Sequence, residues 1–104
     1  MHGYRVVVKM KVRELLELVD ETVANLKIAI IANQNRAFES PHTSYEFTQR
    51  ALELQEDLDD LMKAREAIAR LDPESDVEEH FSREELEEFL RLLELLRKAD
   101  AHAY

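Results

Sequence analysis

The residues best equipped for chemistry are carboxylates. Glu53, Asp57 and Asp60 recur at helical spacing on one face, and Glu84, Glu85 and Glu88 crowd a later segment. Facing acidic helices can hold Mg²⁺ or Mn²⁺ for phosphate hydrolysis. Such sites need ligands that point into a bundle core. These acids lie beside or opposite leucine rows, so Glu53, Asp57 and Asp60 are read as solvated acids ahead of metal candidates, and no cofactor is expected. Glu39 and His42 have the E-x-x-H spacing of a helical metal site, but Pro41 stands between them. His2, His80 and His102 are isolated, and no Ser/His/Asp arrangement can be picked out. The chain has no Cys and one Gly, Gly3. It therefore lacks a thiolate nucleophile or zinc ligand, and the glycine turns of a phosphate loop, a dinucleotide fingerprint or a nucleophile elbow.

Arg36 and His42, with five residues between them and Tyr45 beyond, have a spacing that resembles the R-x(4–6)-H signature of the helical HEPN ribonucleases. The resemblance implies a composite ribonuclease site across a dimer, with His42 as acid or base. Residues 34–43, QNRAFESPHT, also read as a long polar connection broken by Pro41. Arg36, Phe38 and His42 are then candidates for partner contact, because long connections often carry function.

Three helices position these groups. The first is expected over 12–33, where Val12, Leu16, Val19, Val23, Leu26 and Ile30 form a stripe at steps of four and three. Ile28 and Ile31 form a second apolar row on its far side. Covering those two would be worth roughly 3–6 kcal/mol, so either a third helix or a second copy of the chain is expected over them. The second helix is expected over 44–71, with Thr43 and Glu46 as its capping box. Phe47, Ala51, Leu54, Leu58, Leu61 and Ile68 form its seam. Arg65 falls within that seam, where it either meets a carboxylate or turns its head outward, and the second is favoured because an unpaired buried charge is costly. An acidic linker over 72–81 follows, with Pro73 starting a short turn capped by Asp72. The third helix, 82–99, starts at Ser82 with Glu85 closing the box. Its apolar residues, from Leu86 to Leu96, cover more than half the circumference and ask for a second contact.

Residues 4–10, YRVVVKM, alternate like a strand. A lone strand must pair with its copy in another chain, extend the helix or stay disordered. MKVRELLELV from Met10 would also suit the start of a helical protein, with residues 1–9 an upstream extension. A basic strand before two helices, with SYEFTQRAL from Ser44 to Leu52, is similar to the ribbon-helix-helix DNA-binding proteins. That likeness implies a dimer presenting Arg5, Val7 and Lys9 to the major groove.

The net charge is −9, unevenly placed: residues 1–43 hold six Lys/Arg and five Asp/Glu, residues 44–104 eight and eighteen. General nucleic-acid binding is disfavoured unless that ribbon is real. A basic protein partner is favoured, or mimicry of nucleic acid by an inhibitor. No secretory signal or membrane span is visible, so a cytoplasmic location is expected. The sequence predicts one all-α domain over 1–104: an antiparallel helical hairpin plus a third helix, with a short N-terminal strand or extension over 1–11. It is read as a self-associating, non-enzymatic interaction or adaptor protein, a homodimer or higher oligomer. Ile28, Ile31, Leu92 and Leu95 are expected to carry self-association.

Overall fold

Helix α1 spans Val12–Glu39, α2 spans Ser44–Ala69 and α3 spans Arg83–Arg97, with a single 3-10 turn at Val77–Glu79. These come from a computed structural model that describes residues 9–98. The architecture is a three-helix, all-α bundle with no β-strand among the described residues. The long α1–α2 hairpin dominates, and α3 packs against α1 rather than α2. The radius of gyration, 16.5 Å, exceeds the roughly 13 Å of a compact chain this size.

The core follows the apolar spacing. Val12, Leu15, Val19, Leu26 and Ala29 of α1 are buried to 1% exposure or less, against Leu54, Leu58 and Leu61 of α2. Two polar side chains are buried among them and each is satisfied within its own helix. The Thr22 hydroxyl donates to the Leu18 carbonyl at 2.8 Å, and the Asn33 amide to the Ala29 carbonyl at 2.7 Å. This back-bonding removes the cost of an unmatched buried group.

Helix α1 runs six residues past the expected Asn33 and stops at Ser40, whose φ −127° and ψ 86° are non-helical. Proline restricts the residue before it, not the whole polar stretch upstream. The expected ten-residue connection is therefore the turn 40–43, and Arg36 and Phe38 belong to α1. Thr43 does not cap α2; its hydroxyl donates to the Ser40 carbonyl instead. Helix α2 ends at Ala69 rather than 71, and α3 at Arg97 rather than 99.

The acidic linker has a structural task. Its carbonyls satisfy the amides that the start of α1 leaves open. Val12 N–H donates to Ser75 at 2.9 Å and Arg13 N–H to Pro73 at 3.0 Å. Val77 N–H returns a bond to the Met10 carbonyl at 2.9 Å, and Lys11 and Asp76 form an antiparallel bridge. Asp72 caps the turn by accepting from the Glu74 amide. Most of the 4–10 strand expectation lies outside the described residues. Its described end, Lys9–Met10, is not a strand, and Met10 pairs with the linker of its own chain.

Helix α3 begins as expected. Ser82 Oγ accepts from the Glu85 amide at 3.1 Å, and the Glu85 carboxylate accepts from the Ser82 amide at 2.9 Å. Its 15 residues reach about 22 Å, against about 42 Å for α1. Its apolar side chains gather over Leu15 and Leu18 of α1. The tip of the hairpin, at Phe38 and Tyr45, is two helices alone, and both rings are exposed.

Candidate functional site

Arg36, placed in the last turn of α1, sits with its guanidinium 6.0 Å from the centre of the Phe47 ring on α2. It is half-buried, whereas His42 is exposed in the turn and Tyr45 is exposed at the start of α2. The geometry explains Arg36 as a cation held over an aromatic face that joins the two helices. Phe38, expected in a loop, is on α1 and 89% exposed.

Glu53, Asp57 and Asp60 are exposed along α2. Among the described residues, no three Asp, Glu or His side chains come close enough together to hold a metal ion. The Asp57 pKa is raised from its ordinary value, first by partial burial and then by the charges of Asp60 and Glu53, with Arg50 opposing. On α3, Glu84 and Glu88 are exposed. Glu85 is lowered by its hydrogen bonds with Ser82.

One Ser/His pair escaped sequence reasoning. Ser75 Oγ lies 2.8 Å from His80 Nε2 and also donates to the Asp72 carbonyl at 2.6 Å. A hydroxyl has one proton, and here it goes to the carbonyl. The imidazole must then donate to Ser75, which is the reverse of general-base activation. The pair fastens the linker turn.

Arg65 meets Asp20 across the hairpin, Nε to Oδ1, at 2.5 Å. Its head does reach the surface, but it ends on a carboxylate there rather than in water alone. The hydrogen bond and charge of Asp20 raise the Arg65 pKa.

The four residues assigned to self-association fall on different surfaces. Ile28 and Ile31 are 56% and 57% exposed, beyond the cover of α3. They lie on the side of α1 away from Leu26, Ala29 and Ile30, which face α2. With α1 extended to Glu39, Ala24, Ile28, Ile31, Asn35 and Phe38 recur at steps of four, three, four and three. That is the spacing of a coiled-coil seam. Phe38 completes it, and was hidden from sequence reading by the misplaced helix end. Leu92 and Leu95 lie on α3. Leu92 lines an open groove between α2 and α3, and Leu95 is 62% exposed and outside the groove's walls. The groove's other walls include Ala64 and Ala67 on α2 and Phe81 and Phe89 before and on α3. Sequence reading did not single out the alanines, because a small residue beside a seam carries no periodic signal.

No known protein family, curated protein or solved structure matches this chain. Among the described residues, no helix is long and apolar enough to cross a membrane.

Proposed function

We propose that this chain is a small acidic interaction protein that pairs with itself through the outer seam of α1 and acts by binding rather than by catalysis. The observation that carries the reading is the exposed row of Ile28, Ile31 and Phe38 on a helix whose opposite side is already buried against α2. Large apolar side chains aligned at heptad spacing gain by meeting a like surface. A twofold pairing of two α1 seams satisfies both copies at once and closes the assembly. Roughly 2–3 kcal/mol would come from burying the remaining exposure of the two isoleucines of each chain, 56% and 57%. No acidic residue lies between Glu21 and Glu39, so this is the stretch of an otherwise acidic chain where two copies approach with least repulsion.

Light scattering on the full chain and on Ile28→Glu tests the reading. A dimer that becomes a monomer in the variant is the expected result. A variant of unchanged mass, or a monomeric wild type, removes it.

A further inference from the structure

We propose that the open groove between α2 and α3 docks an amphipathic helix of another protein, one that presents two large apolar side chains a turn apart with Lys or Arg beside them. The proposal rests on the reading of the chain as an interaction protein, but uses a different surface from the α1 seam.

The groove exists because α3 packs chiefly on α1, which buries Leu61 and Ile68 at its floor but leaves Ala64 half-buried and Ala67 exposed on α2. It consists of two cavities of about 230 and 200 Å³ that share Ala64 and Phe89 in their walls. Leu15 and Ile68 line the first, and Leu61 and Leu96 the second. The small side chains of Ala64 and Ala67 leave room for side chains from outside. Each cavity is smaller than the roughly 300–1,000 Å³ of a metabolite site, which would also need convergent polar anchors. Two adjoining apolar cavities instead suit two side chains at i and i+3 or i+4 of a helix, spaced about 5–6 Å apart.

Charge at the groove selects the occupant. Asp57 and Asp60 contribute to the second cavity and Glu85 to the first. Helix α2 carries seven acids and three bases, and α3 five and three. A copy of either helix would set carboxylate against carboxylate, and the acid-free outer seam of α1 is taken up by its own pairing in the proposed dimer, whereas a basic helix of another protein supplies the missing counter-charge. Asp57 agrees with this: partial burial and then its neighbours Asp60 and Glu53 disfavour its charge, and a cation at the groove would offset the repulsion of those neighbours.

The test uses the full chain and a synthetic helical peptide with Leu at i, i+3, i+4 and i+7 and Lys elsewhere, beside its Glu-for-Lys counterpart. Binding is followed by fluorescence anisotropy and by methyl NMR shifts. The Lys peptide should bind, shifting the Leu61, Ile68 and Leu92 methyls, and the Glu peptide should not. Ala67→Met, which fills the groove from an exposed position, should weaken binding by roughly tenfold. Asp57→Asn/Asp60→Asn should weaken it and flatten its salt dependence, and tests the charge without altering the groove's apolar walls. Equal binding of the two peptides, an unchanged affinity in Ala67→Met, or shifts confined to Ile28 and Ile31 would each overturn the proposal. So would groove shifts that grow with protein concentration alone, which would make a second copy the occupant. Solution mass in the same samples separates the two readings. A dimer that ignores the peptide loses the groove proposal alone, and a monomer that binds it loses the self-association reading alone.

Discussion

Arg36 and Phe47 close the hairpin: the guanidinium of the last α1 turn stands 6.0 Å from the ring centre at the first turn of α2. This contact gives Arg36 a structural reason to be where it is, without reference to His42. Arg36→Ala should lower stability by about 0.5–1 kcal/mol, the usual range for a partly exposed cation over a ring. His42→Ala, at an exposed turn, should stay within about 0.5 kcal/mol of wild type. Urea melts check both. If the purified chain cleaves RNA and both variants lose that activity together, the ribonuclease reading gains the support that the geometry does not give it.

Leu26 and Ile28 stand two positions apart in sequence with opposite surroundings, fully buried and 56% exposed. Leu26→Ala should cost about 2–5 kcal/mol at every protein concentration, as a core truncation does. Ile28→Ala should instead remove the concentration dependence that the proposed self-association would give to the unfolding midpoint. Denaturation at two widely separated concentrations distinguishes these behaviours.

Asp57 gives a pH prediction with a definite sign. Its folded pKa is raised, so its charged form is less favourable in the folded chain than in the unfolded one. Asp57→Asn should therefore raise the thermal midpoint at neutral pH. The advantage should shrink as pH falls through the raised pKa and vanish below the unfolded value. Because Asp57 is largely solvent-exposed, the gain should be at most about 1 kcal/mol.

Ser82 and Glu85 predict the opposite slope. Glu85 is lowered by its bonds with Ser82, so its contribution is present above the unfolded pKa and lost as pH falls through the folded one. Ser82→Ala should cost about 1 kcal/mol at neutral pH, as loss of a helix cap does. Glu85→Gln removes the titrating carboxylate, whereas Ser82→Ala keeps the amide that binds it. Glu85→Gln should therefore lower the thermal midpoint at neutral pH, and its gap from wild type should narrow in acid. Thermal melts from neutral pH down into the carboxylate range measure it.

Some of this protein was legible in its residues alone, because the signals are local. The stripe from Val12 to Ile30 makes α1 amphipathic wherever it packs. The seam from Ala51 to Ile68 does the same for α2, and Ser82 with Glu85 starts α3 through bonds three residues apart. Pro41 marked a helix end, but its steric reach is one residue back. The polar stretch before it stayed helical, moving Arg36 and Phe38 onto α1. Other features depend on chain segments far apart in sequence. Met10 and Val12 find their partners in Val77 and Ser75, and Arg65 finds Asp20 across 45 positions. The exposure of Ile28 and Ile31 follows from how far α3 reaches, and the groove at Ala64 from which neighbour α3 chose. Periodicity says which face of a helix is apolar. Only the packing of the helices decides which of those faces is covered.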